Sequence, residues 1–268
     1  MRKLYIIGNG FDIAHGLDTS YSSFRKYLVA NNKEKILSLF PDEDNWRDFE
    51  NNLCLIDKKF FILLRKSYGE ISLDIIKEIF DDVSKELAEF LMTKDITTIK
   101  YKLDSRDYYF SFNYTNVLYS TYGISFDHIC QIHGAIWEYV TDTGKLILGH
   151  GNNAPKNEAL ESMNFIDDYF SYINYTRKNS SEILLSEKYV NFISRIPLKE
   201  IDEIICFGYS YSEVDHIYIE ELYKLFNKNV KFRLCCYNES DVIRATFMVE
   251  KLNIKNYHIV GGLEEYNV

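Results

Sequence analysis

Proline is scarce, with three in 268 residues, and no tract of low complexity interrupts the chain. That argues against a disordered or linker-built protein. The five cysteines, Cys54, Cys130, Cys206, Cys235 and Cys236, form no C-x-x-C pair and no Cys/His spacing suited to zinc. Four lie inside apolar runs, so all are expected to be reduced thiols in a cytosolic protein, and no metal is expected. No apolar run approaches the roughly 18 residues that span a bilayer. Met1-Arg2-Lys3 precedes only four apolar residues before Gly8, too few for a signal-peptide core. The expected location is the cytoplasm, with no membrane partner. Basic charge is also in deficit: the formal net charge is −9, against the clustered Lys and Arg that hold phosphate backbones. Duplex nucleic acid is therefore not an expected partner. A nuclease reading lacks support too, because no carboxylate cluster has metal-binding spacing.

What is present is apolar and aromatic: 46% and 16% of the residues, enough to bury a substantial core. Leu4-Tyr5-Ile6-Ile7 is a short, wholly apolar run ended by glycine, the pattern of a strand buried on both faces of a parallel sheet. Helical periodicity follows in Trp46, Phe49, Leu53, Ile56, Phe60 and Leu63, and again from Ile75 to Leu91. Residues from about 20 to 95 read as a helical insertion, and residues 157–195 as a second. Strands are expected at 108–112, 127–132 and 145–148. A tail follows with strands at 201–207, 230–237 and 257–260, alternating with helices at 214–226 and 240–252. Such alternation implies one α/β domain over 1–268, with an open, mostly parallel sheet and right-handed crossovers.

Chemistry in such a sheet belongs at the carboxyl ends of the strands. Four clusters fall there. Gly8-Asn9-Gly10-Phe11-Asp12 follows the first strand, and its small residues let backbone N–H groups approach phosphate oxygens. The full dinucleotide fingerprint fails, since its third glycine is replaced by Ile13, and a tight structural turn is the competing reading. Phe112-Asn113-Tyr114-Thr115-Asn116 offers an amide able to hold a sugar hydroxyl or a water, or else to cap the next helix. Ile132-His133-Gly134 offers an imidazole for acid–base work, or a satisfied structural histidine. Phe207-Gly208-Tyr209-Ser210, with Asp215 beyond, offers backbone and hydroxyl donors.

These residues resemble the AbiH family of bacterial proteins associated with abortive infection by phage. The resemblance rests on LYIIGNGFDIAHGLDTSY (Leu4 to Tyr21), WRDFENNL (Trp46 to Leu53), FSFNYTN (Phe110 to Asn116), Gln131 to Gly134, and FGYSYSEVD (Phe207 to Asp215). More remotely, the arrangement is similar to sirtuin-like NAD-cleaving domains of phage-defence systems. That resemblance implies a sirtuin-like sheet, with Asn113 and His133 matching the catalytic asparagine and histidine. It also implies that Gly8, Gly10, Gly208 and Ser210 hold a dinucleotide, joined as binding candidates by Asn9, Phe11, Asp12, Thr115 and Asp215. Two departures stand out. Thr115 occupies a position that is commonly acidic, and the paired zinc cysteines of deacetylating sirtuins are absent.

The implied activity is hydrolysis of the nicotinamide–ribose bond of NAD, or of NADP, in an abortive-infection effector. The alternative is a sensor or partner-binding module that holds a nucleotide without cleaving it. A phage-derived trigger is a further expectation. The 22 tyrosines are compatible with self-association, although core edges account for such residues more often.

Overall fold

The computed structural model describes residues 2–56, 58–94, 98–151, 166–226 and 230–261. Six strands form one sheet: β1 (Arg2–Ile7), β2 (Tyr108–Ser111), β3 (Ile129–Gln131), β4 (Ile201–Phe207), β5 (Lys231–Cys236) and β6 (Tyr257–Gly261). Their spatial order is β3-β2-β1-β4-β5-β6, and every pairing is parallel. The chain winds outward from β1 to β3, then returns to the other side of β1 and winds outward again to β6. Such a Rossmann-like order reverses direction between β1 and β4, the switch point where loops splay apart.

The central strands carry the burial that their sequence demands. Leu4 to Ile7 and Ile204 to Phe207 are all buried, because helices or loops must cover both faces of a parallel sheet. On one face, Tyr5, Ile7, Tyr109, Ile205, Phe207 and Cys235 join a core with Phe11, Leu118 and Ile124. On the other, Phe110 meets the rings of Tyr189, Phe192 and Tyr218. The period of two along each strand produces this division. Four cysteines are buried, Cys54 is half-buried, and all five are free. Among the described residues no helix is long and apolar enough to cross a membrane, and no group of three or more His, Cys, Asp or Glu could hold a metal.

Two compact units divide the chain. One contains the sheet and comprises residues 1–18, 94–145 and 179–268; the other comprises 19–93 and 146–178. The expected strand at 145–148 is not a strand in the structure; just beyond it, His150 makes an isolated bridge to Arg177. A run of three apolar residues, Leu146 to Leu148, cannot by itself distinguish a strand from a buried connector, and this one lies where the chain passes from one unit to the other. The strand expected at 127–132 is shorter, because Ser125 accepts a hydrogen bond from the Asp127 N–H and winds residues 126–128 into a 3₁₀ turn. Of the second helical insertion, residues 157–165 lie outside the described residues. The rest forms helices Ile166–Thr176, Ser180–Leu184 and Glu187–Arg195.

The second unit is helical, with the longest helix, Leu73–Met92, started by the Ser72 hydroxyl accepting from the Ile75 N–H. Its core is aromatic: Trp46 packs on Phe24, Phe40 and Phe49, and its indole N–H donates to the Phe40 carbonyl. Glu50 accepts from the Tyr21 hydroxyl at 2.7 Å and pairs with Lys178, whose side chain is wholly buried. Lys178→Met would take the buried counter-charge from Glu50, leaving the Tyr21 hydroxyl still donating to it. The expected loss is about 3 kcal/mol, the low end for breaking a buried pair, because Glu50 keeps 19% exposure. Urea unfolding measures it, and a change below about 0.5 kcal/mol would mean the pair carries no stability.

Candidate functional site

Ladder bonding runs one residue beyond the ends of β1, β2 and β3. The Gly8 N–H donates to the Phe207 carbonyl, Phe112 to Ile7, and Ile132 to Ser111. The four expected strand ends therefore leave the sheet side by side. The turn after β1 then closes on the turn after β4: the Gly10 N–H donates to the Gly208 carbonyl at 2.8 Å, and the Phe11 N–H donates back to Gly8 at 2.9 Å. A Cβ on Gly8 would stand 2.6 Å from the Gly208 oxygen, and one on Gly208 would stand 2.1 Å from the Phe11 nitrogen. Gly208 also has φ +65°, a conformation that disfavours any side chain. The glycines thus serve contact between two backbones. Because the N–H groups of Gly8, Gly10 and Phe11 are committed within the chain, they are not open phosphate donors in this conformation. Gly16, at φ +81° in open space, ends the helix Asn9–Ala14 and takes no part in the turn.

Asn113 does not cap the following helix, Val117–Ser120, whose N-cap is Asn116. Its buried amide instead donates through Nδ2 to the Gly8 carbonyl at 3.0 Å, tying the end of β2 to that of β1. Gln131 fixes the same turn from β3, its Nε2 donating to the carbonyls of Asn113 (3.1 Å) and Thr115 (2.8 Å). The Thr115 hydroxyl donates to Oδ2 of Asp12 at 2.7 Å. Asp12 is buried, and its Oδ1 receives no hydrogen bond of ordinary geometry. Burial pushes its carboxyl up to about 7, while Thr115 and the Asn113 side chain pull in the opposite direction.

His133 belongs to the opposite face. It is buried between the rings of Phe112 and Tyr218, at centroid distances of 5.4 and 5.5 Å, with Nε2 4.0 Å from Oδ1 of Asp215. Gly134, at φ +89°, turns the chain immediately after it. Phe112 stacks on Tyr209 at 5.2 Å, which joins the β2 and β4 turns. Tyr211 in the β4 turn is buried at φ +56°, a strained conformation for an aromatic residue. It is held by its hydroxyl donating to the Cys235 carbonyl and by the His216 Nε2–H donating to its own carbonyl. Ser210 and Asn9 are exposed, and the Ser210 carbonyl accepts from Arg244.

The selected residues thus fall into two groups on adjacent strand ends. Asn113, Thr115, Asp12 and Gly8 are linked by hydrogen bonds, and His133 faces Asp215 beside Phe112. Gln131 was visible only as part of a motif, and nothing marked it as the anchor of the Asn113 turn. Residues 4–235 match the family model described as bacteriophage abortive infection AbiH. The chain belongs to the AbiH family. The match spans β1 to β5 and every strand end described above, and AbiH membership points to a part in phage abortive infection. No match was found among curated proteins or among solved structures.

Asp12 gives this AbiH chain a pH signature. A carboxyl whose pKa is raised from 3.8 to about 7 stabilises the fold while neutral, so its contribution is complete below pH 4 and is lost as pH rises through 7. Asp12→Asn keeps an acceptor for Thr115 without the charge. It is expected to match the wild type near pH 4 and to exceed it by about 4 kcal/mol at pH 8. Parallel pH profiles of the two proteins in urea would show that Asp12 ionises normally.

Proposed function

We propose that this AbiH protein is an abortive-infection effector that hydrolyses the nicotinamide–ribose bond of NAD or NADP at the ends of β1 to β4. The observation that carries the reading is that the Asn113 amide, bonded to the Gly8 carbonyl, and the His133–Asp215 pair stand on opposite faces of adjoining strand ends beside the switch point, where a ligand laid across that edge would meet both. Bond cleavage builds positive charge on the ribose, so one group must position water and the sugar while another accepts a proton. Asn113 suits the first role, since an amide donates and accepts at once. His133 suits the second, and Asp215 at 4.0 Å is placed to favour the imidazolium that results. The dinucleotide phosphates need donors other than the N–H groups of Gly8 and Gly10, and the exposed side chains of Asn9 and Ser210 are the remaining candidates on that edge.

Purified protein incubated with NAD, with and without phage lysate, should release free nicotinamide. If neither condition releases it from NAD or NADP, the hydrolase reading fails and a nucleotide-binding module takes its place.

A further inference from the structure

Asp12 combines two features that do not coexist without a reason: a carboxyl withdrawn from water, and an oxygen, Oδ1, that receives no hydrogen bond of ordinary geometry although the Asn113 side chain acts on the carboxyl. Buried acceptors are normally satisfied, and an exception calls for a partner. Asp12 also lies within the network of Asn113, through Thr115 and the Gln131 anchor. We propose that Asp12 accepts a hydrogen bond from a hydroxyl of the ribose that the nicotinamide leaves, and that only its ionised form does so. The inference rests on the nucleotide reading above and deepens it by assigning the sugar contact.

The physical basis is the acceptor capacity of a carboxylate. When ionised, Asp12 offers Oδ2 to Thr115 and Oδ1 to a ligand hydroxyl; when protonated, it loses part of that capacity and becomes a donor. A ribose hydroxyl would stabilise the anion, so binding would expel a proton wherever Asp12 is protonated beforehand. The groups that act on Asp12 are Thr115 and Asn113, both neutral. His15, on its own helix, is turned to the Phe11 carbonyl and the Tyr122 hydroxyl. With the carboxyl half-protonated near 7, affinity should improve as pH rises through that point.

The test is calorimetric titration of the full chain with ADP-ribose at pH 6 and pH 8, in buffers of different ionisation heat. Binding about tenfold weaker at pH 6 is expected, with proton release on binding. An ADP-ribose analogue lacking the hydroxyls of the terminal ribose should bind weakly and equally at both pH values. Asp12→Asn should abolish the pH dependence, which would persist if His133 were its source. Thr115→Val, which removes the hydroxyl stabilising the carboxylate, should move the dependence to higher pH. Equal affinity at pH 6 and 8, an unchanged dependence in Asp12→Asn, or no binding of ADP-ribose at either pH overturns the proposal. Nicotinamide release is followed separately on the same preparations. Release with pH-independent ADP-ribose binding removes the role of Asp12 and leaves the hydrolase, whereas pH-dependent binding without release does the reverse.

Discussion

Asn113→Ala and His133→Ala are each expected to lower nicotinamide release by at least about 100-fold, the usual scale for a group that moves or positions a proton. The structural costs are smaller. Asn113→Ala deletes one buried donor to the Gly8 carbonyl, which still accepts from the Phe11 N–H, so the loss should be about 1 to 2 kcal/mol. His133→Ala opens space between Phe112 and Tyr218 and should cost about 2 kcal/mol. A domain with about 5 to 15 kcal/mol of stability remains more than about 99% folded after either loss, so unfolding cannot account for a 100-fold effect. Asp215→Asn should give an intermediate loss, since the carboxylate acts through His133. Circular dichroism alongside the nicotinamide assay separates the two causes. Wild-type turnover in both alanine variants would remove Asn113 and His133 from the chemistry.

The largest effect on the fold is expected from Gly208→Ala. The added methyl group would stand 2.1 Å from the Phe11 nitrogen and 2.5 Å from the Gly10 carbonyl carbon, both backbone atoms, at a φ of +65°. Neither the overlap nor the dihedral can relax without separating the β1 and β4 turns, so a loss above about 4 kcal/mol is expected. Gly16→Ala is the control, because it shares a positive φ but meets nothing within 4 Å; it should cost only about 1 kcal/mol. Similar urea midpoints for the two variants would show that the glycine contact is not a determinant of stability. The same geometry changes the meaning of Gly8→Val. Its side chain would strike Gly208 at 2.6 Å, so lost activity in that variant would report a broken turn and not an excluded ligand.

Much of this was legible from residue patterns. The apolar run Leu4 to Ile7 read as a central strand because burial on both faces leaves no polar position, and the β-α-β tail from Ile201 onward was marked by changes of period. The four strand ends were also legible, since each ends in a small or polar turn. What escaped was long-range. That the turn glycines meet each other depends on a contact across some two hundred positions, which no local pattern encodes. The burial of Asp12 was equally hidden, because an acidic residue one place after Gly-Phe looks like an ordinary helix residue until Thr115 and Asn113 are brought to it. The run at 145–148 misled for the opposite reason: its local pattern was strand-like, yet among the described residues it belongs to no strand.

The closure of the Gly8-Asn9-Gly10 turn on Gly208 also bears on how the protein is made. A nascent chain exposes β1 first, yet Gly10 has no acceptor and Gly8 no ladder partner until β4 and its turn have emerged. His133 meets Asp215 only later still. A ribosome-bound intermediate stopped before residue 208 therefore carries the first, second and third strands without a finished edge between β1 and the rest of the sheet. Whatever activity resides at that edge is withheld from the cell until the turn at Gly208 has been synthesised.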